Sequence, residues 1–313
     1  MGKPNWRPTP SPRPPTTLMN LQELMRQVRF IELKTTKLVT GVFAGMYMSS
    51  FKGRGVEFDE IREYEPGDDV RAIDWNVTAR TGRPFIKRFV EEREMTVMLL
   101  VDMSASADFG TTRKLKRELE AELCATLAFS AVRNNDRVGM LLFTEEVERF
   151  VPPRKGRNHV MQIVRSLLTV DPKHRGTNIT KALDYLNNVV EGKALVFIIS
   201  DFRSLDNWIR PLRITARRHD VVAVRVEDPR ERKLPKVGLV RLQDAETGQE
   251  LVVDLRNEKL RTMFEQQAEA QHQSHVAELR ALGVDHMSLQ TDGRYADSLQ
   301  SFFNRRMKRR ERG

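Results

Sequence analysis

From Met95 onward, short, nearly continuous apolar runs alternate with longer segments whose apolar residues recur every three or four positions. The runs span Val97 to Val101, Val138 to Phe143, Leu195 to Ser200, Val221 to Val226 and His286 to Leu289. A strand wetted on one face alternates apolar and polar residues. An unbroken apolar run has both faces covered and predicts a strand inside a parallel sheet. Between the runs, Leu115, Leu119, Leu123 and Leu127 step by four. Val160, Ile163, Val164, Leu167 and Leu168 mark a second helical face, and Ile179, Ala182, Leu183, Leu186 and Val190 a third. The pattern predicts an α/β domain over 95–304, a mainly parallel, Rossmann-like sheet with helices on both faces.

Upstream the pattern changes. Over 46–94, short apolar segments are separated by turn signals such as Glu65-Pro66-Gly67-Asp68 and Thr81-Gly82-Arg83-Pro84. Val56 to Tyr64 and Phe85 to Val90 read as strands of a small β-rich accessory module. A second interruption, 227–256, carries Asp228-Pro229, Leu234-Pro235 and a hairpin turn at Glu246-Thr247-Gly248, flanked by strands at 237–242 and 250–255. A lone hairpin is marginal in water, so this one is expected to pair with the 46–94 module and complete it. Residues 18–45 form an N-terminal helical segment, with Leu21, Leu24, Met25, Val28 and Ile31 on one face. Pro4, Pro8, Pro10, Pro12, Pro14 and Pro15 make 1–17 a disordered arm.

Composition adds three constraints. The net charge of +10 draws on Arg305, Arg306, Lys308, Arg309, Arg310 and Arg312, which read as a solvated basic tail over 305–313. No aromatic residues interleave there to stack on bases, so nucleic acid is not the expected partner. The single cysteine, Cys124, sits among Leu123, Leu127, Ala128 and Ala131, and reads as a small buried residue. Leu38 to Met48, the most apolar stretch, is shorter than the roughly 18–20 residues a membrane span needs, and the Pro-rich start has no secretory apolar core. The expectation is a cytoplasmic protein without membrane insertion.

Candidate chemistry lies where the first apolar run ends, in Asp102-Met103-Ser104-Ala105-Ser106. In an open α/β sheet, ligands bind beyond the carboxyl ends of strands. Alternate spacing in a turn lets one carboxylate and two hydroxyls face a common space, as oxygen donors suited to Mg²⁺. The run at Leu195 ends on Asp201, and Thr177 precedes the third helix. Two carboxylates and three hydroxyls would balance a divalent ion in formal charge. The same residue types also cap helices and satisfy turn amides, so Asp102, Asp201 and Thr177 retain that plainer reading.

The set Asp102, Ser104, Ser106, Thr177 and Asp201 resembles the metal-ion-dependent adhesion site of von Willebrand factor A domains. Upstream, Gly53-Arg54-Gly55-Val56-Glu57-Phe58, Arg62 to Arg71 and Ile73-Asp74-Trp75 with Ala79-Arg80 resemble the bacterial domain-of-unknown-function 58 family, as do Asp228-Pro229, Leu234-Pro235 and Glu246-Thr247-Gly248. The resemblance covers about 40–305. It implies a von Willebrand factor A-like fold and a metal site formed by those five residues, with Mg²⁺, or Mn²⁺ or Ca²⁺, as its ion. It further implies a non-enzymatic, chaperone-like adaptor that binds a MoxR-type AAA+ ATPase or a client protein. Some relatives carry N-terminal membrane helices, which this sequence lacks.

Two other classes stand beside that reading: a metal-dependent hydrolase or nuclease using the same carboxylates, and a nucleic-acid-binding protein led by the basic end. Against an enzyme, Gly192-Lys193 runs into Ala194 without a P-loop, and paired glycines flank neither Ser104 nor Ser106. Lys87 lacks the adjacent acid of a nuclease site. His272 and His275 fit a solvated helix face better than zinc. Asp68, Asp69, Arg71, Asp74 and Arg80 are expected to form an ion-pair network fixing the β-rich module, with Trp75 as its apolar anchor.

Overall fold

The computed structural model describes residues 21–39, 44–51, 57–90, 94–112, 114–204, 206–293 and 295–311. The expected Pro-rich arm, the Gly53 to Val56 motif and the last two residues lie outside them. At the centre is a six-stranded sheet built from β3 (Thr96–Asp102), β4 (Arg137–Phe143), β5 (Val147–Arg154), β6 (Ala194–Ser200), β7 (Asp220–Glu227) and β10 (Asp285–Gln290), in the order β10-β7-β6-β3-β4-β5. All neighbours are parallel except the β4–β5 edge pair.

This is the mainly parallel α/β architecture expected from the pattern, and the reason is visible in β3. Val97, Leu99 and Val101 face one core cluster and Met98 and Leu100 the other, all fully buried. The first cluster is roofed by α1 (Leu21–Leu38), α2 (Ala44–Phe51), α4 (Lys116–Arg133), α5 (Arg157–Thr169) and α9 (Tyr295–Glu311). The second is covered by α6 (Ile179–Val189), α7 (Ile209–Arg218) and the end of α8 (Glu258–Ala281). Cys124 is buried in the first cluster, as expected. Strand β5 escapes the apolar-run rule because it is an edge strand bearing Pro152 and Pro153. Gly139 of β4 makes room for it: a Cβ there would stand 2.7 Å from Met98 Sδ and 3.0 Å from Pro153 Cγ.

The accessory region differs from expectation. Strands β1 (Glu57–Glu63) and β2 (Phe85–Val90) pair with each other, Ile86 of β2 bridges to Ile73, and a short helix, α3 (Trp75–Thr81), lies between the strands in sequence. Strands β8 (Leu239–Gln243) and β9 (Glu250–Asp254) form their own two-stranded sheet and do not complete the 46–94 module. What holds that hairpin is its base, where Val253 and Leu255 are buried. Its tip leans on the loop before α6, as described below.

Within 46–94 the aspartates act largely as caps. Asp69 accepts from Arg71 N, and Asp74 from Asn76 N and Val77 N, while Asp68 pairs with Arg62 at 2.7 Å. Trp75 opens α3 with 69% of its surface exposed, so it does not anchor the module. The basic end is helical, since α9 runs to Glu311, and Arg305, Lys308 and Arg309 on it are exposed as expected, but Arg306 is not. Arg306, only 7% exposed, stacks on Phe51 at 4.5 Å and pairs with Asp220 and Asp285. No helix among the described residues is long and apolar enough to cross a membrane.

Asp136, just before β4, is buried and held by Tyr47 Oη (3.1 Å) and Met95 N (2.9 Å). Burial pushes its carboxyl up to about 6 against those two hydrogen bonds. A carboxyl raised on folding contributes stability that is complete below the unfolded value and lost as pH rises through the folded one. Relative to Asp136→Asn, the wild type should therefore lose about 1–2 kcal/mol between about pH 4 and about pH 7. Urea unfolding of both proteins at each pH checks this. A difference that stays flat or runs the other way contradicts it.

Candidate metal centre

Chain order fixes the location of the site. After β3 the chain moves to β4 on one side, and later returns to β6 on the other, so the carboxyl ends of β3 and β6 flank a topological switch point. Val101 pairs with Ile199, which sets Asp102 at the end of β3 beside Ser200 and Asp201. Ser200 Oγ donates to Asp102 Oδ2 at 2.7 Å, and Ser104 N donates to Asp102 Oδ1 at 2.9 Å. Ser104 and Ser106 hydroxyls lie 3.1 Å apart.

The third loop is pinned from several sides. Arg175 O accepts from Ala105 N at 2.9 Å, Gly176 N donates to Glu145 Oε1 at 3.0 Å, and Asn178 N donates to Thr144 O at 2.8 Å. A Cβ on Gly176 would stand 2.6 Å from Glu145 Oε1. Asn178 caps α6 by accepting from Lys181 N. Held this way, Thr177 Oγ1 lies 3.3 Å from Asp102 Oδ2 and 3.4 Å from Oδ1. Asp102, Ser104, Ser106 and Thr177 are thus brought into one chain of contacts.

Asp201 is adjacent but turned to another partner. Lys116, on the first turn of α4 and 1% exposed, donates to Asp201 Oδ2 at 2.8 Å and to Glu231 Oε1 at 3.2 Å. Arg203 N also donates to Asp201 Oδ1 at 3.1 Å, so the plainer turn-capping role holds for Asp201 as well. Phe202 adopts φ +57°, an uncommon conformation for a residue with a side chain. Its ring is buried against Trp208 at 5.7 Å and its N–H reaches Ser200 Oγ at 3.1 Å, contacts that offset the strain.

The electrostatics divide the two aspartates. Burial, and then repulsion from Asp201, push Asp102 up to about 6, although the Ser200 and Ser104 hydrogen bonds pull it down. Burial would also raise Asp201, but the Lys116 ammonium outweighs it and holds that carboxyl below its ordinary value. Glu120, one turn along α4, is 2% exposed with Oε2 unpartnered. Burial and the charge of Asp102 hold it well above the usual carboxylate range. The oxygen donors of Asp102, Ser104, Ser106 and Thr177 are of the kind that Mg²⁺, Mn²⁺ or Ca²⁺ accept, and they suit poorly the metals that prefer nitrogen or sulfur. Among the described residues, no three His, Cys, Asp or Glu side chains gather as a metal cluster.

Sequence reasoning missed Lys116, Glu120, Ser200 and Glu231 as neighbours of these residues, and Glu246, whose Oε1 lies 3.2 Å from Thr177 Oγ1. Only Ser200, next to Asp201, carried a local signal. His272 and His275 are half-buried, and both present Nδ1 to the Arg225 guanidinium, at 3.3 and 3.4 Å. They do not form a solvated face, and a cation already lies between them.

Residues 60–274 match the family model described as "Protein of unknown function DUF58". An uncharacterized protein of Mycobacterium tuberculosis is 39% identical over 277 residues, covering 86% of each chain. Among solved structures, the conserved hypothetical protein BatB from Bacteroides thetaiotaomicron is similar over 68% of this chain and 99% of its own, at 14% identity and a TM-score of 0.44. The SpRpn10 VWA domain is similar over 68% of this chain and 95% of its own, at 10% identity and a TM-score of 0.36.

Proposed function

Because the chain belongs to the family described as protein of unknown function DUF58, we propose on its geometry that it is a divalent-cation-dependent protein-interaction adaptor and not an enzyme. Asp102, Ser104, Ser106, Thr177 and Asp201 would hold Mg²⁺, or Mn²⁺ or Ca²⁺ in its place. The observation that carries this reading is a carboxylate, Asp102, buried at the switch point among the hydroxyls of Ser104, Ser106 and Thr177. When bound, the ion supplies positive charge and open coordination positions, which waters and a carboxylate from another protein can fill. Ser200 and the Ser104 amide orient Asp102, and Lys116 keeps Asp201 ionised. Lys116 is committed as an ammonium to Asp201 and Glu231, which disfavours a role as proton acceptor.

The partner we propose is a MoxR-type AAA+ ATPase, on the family resemblance alone, with assembly, activation or chaperoning of a client protein in the cytoplasm as the outcome. Affinity capture with the tagged full chain, in Mg²⁺ or in chelator, tests this. The reading expects a hexameric ATPase to be retained by wild type in Mg²⁺ and lost in chelator and in Asp102→Ala. Equal retention under all conditions would contradict it.

A further inference from the structure

The cation site has a neighbour in sequence-distant β8–β9. Glu246, at the tip of that hairpin, places Oε1 3.2 Å from Thr177 Oγ1, the same hydroxyl that lies 3.3 Å from Asp102 Oδ2. A hydroxyl carries one proton and can donate to only one of these carboxylates at a time. The other is left facing oxygen lone pairs, and a cation between the two groups removes the conflict. The tip is shaped for this position. Asp244 accepts from Glu246 N (3.1 Å), Thr247 N (2.7 Å) and Thr247 Oγ1 (2.8 Å), and Gly248 completes the turn at φ +73°. Arg175, two residues before Thr177, donates to Ala245 O at 3.0 Å and ties the tip to the same loop.

We propose that Glu246 is the carboxylate that closes the cation site from within the chain, and that partner binding exchanges it for an acidic side chain of the partner protein. This rests on the cation-site reading above and adds to it a resting occupant. The exchange is physically accessible because the hairpin is weakly held. Val253 and Leu255 are buried at its base, whereas Leu239, Leu251 and Val252 are 69%, 65% and 62% exposed. An element with little buried apolar surface opens at low cost. Its outward apolar side chains also offer the arriving protein a surface beside the site.

The test uses the full chain and Mn²⁺ as the probe. Titration calorimetry on wild type, Glu246→Gln, Glu246→Ala and Asp102→Ala is paired with hydrogen exchange at residues 244–249 with and without Mg²⁺. Loss of this closing ligand, whose place a water can take, is expected to weaken Mn²⁺ at least about tenfold in both Glu246 variants, and Mg²⁺ should slow exchange at the tip in wild type only. Glutamine can still hydrogen-bond Thr177, so a purely packing role would leave Glu246→Gln like wild type. Equal Mn²⁺ affinity in wild type and both Glu246 variants, with tip exchange indifferent to Mg²⁺, overturns the proposal and leaves the cation site standing. No Mn²⁺ binding by wild type, or undiminished binding by Asp102→Ala, overturns the cation reading itself.

Discussion

Replacing Lys116 by methionine is expected to lower the unfolding free energy by about 3–5 kcal/mol at neutral pH, because removing one partner strands buried opposite charges. The ammonium is 1% exposed and lies between Asp201 and Glu231, themselves 4% and 10% exposed at the side chain. Glu231 lies near the start of the 227–256 insertion, where it also accepts from Asp228 N at 2.8 Å. Asp228 in turn accepts from Thr111 N (2.7 Å) and from Thr291 Oγ1 (2.8 Å). Lys116 therefore fastens the insertion to the end of the sheet that carries the site. Methionine keeps most of the volume, so the loss reports on charge and not on a cavity.

Two accompanying effects separate this cause from generic misfolding. The penalty should shrink at acid pH, where Asp201, held below its ordinary value by the Lys116 ammonium, finally takes up a proton. Added Mg²⁺ should restore part of the stability at neutral pH, since an ion beside Asp201 replaces some of the missing positive charge. Urea titrations with and without Mg²⁺ measure both. A loss below about 1 kcal/mol would mean the buried triad is worth no more than an exposed ion pair.

The parts of this molecule that could be read from sequence are those where burial is nearly complete. Val97 to Val101 and Leu195 to Ser200 sit between two layers of helices, so their composition alone states their environment. The ends of those two strands then place Asp102 and Asp201 side by side, which is why the candidate site was legible at all. The β8–β9 hairpin was legible as an element but not in its pairing. Leu239, Leu251 and Val252 look like residues seeking a second sheet, yet they remain exposed. Trp75 misled in the same way, since a large aromatic residue normally marks a core and here it faces solvent at the start of α3.

Charged members of the site were illegible for the opposite reason. Lys116 and Glu120 occupy a helix where such residues ordinarily face water, and only tertiary placement at the carboxyl edge of the sheet buries them. Arg306 reads as one of a run of basic residues until α9 carries it onto Phe51, Asp220 and Asp285. Glu246 lies in a turn whose composition predicts a hairpin and says nothing about what the tip touches.

The second large effect concerns Asp102. Alanine there should weaken divalent-cation binding by more than about a hundredfold, since groups that merely support metal ligands already cost about 10–100-fold. With saturating Mg²⁺, wild type should gain about 2–3 kcal/mol of stability by mass action and Asp102→Ala should gain none. The variant is not expected to lose its fold, because a buried carboxyl pushed up to about 6 is itself a cost at neutral pH. Loss of ion binding with the structure intact is therefore the informative result.

The most direct measurement is the anomalous scattering of crystals of the full chain grown with Mn²⁺. The account predicts one strong manganese peak enclosed by Asp102, Ser104, Ser106 and Thr177, with Asp201 alongside and the peak missing in Asp102→Ala. A peak elsewhere, or density at that position filled only by the Lys116 ammonium and water, would contradict it.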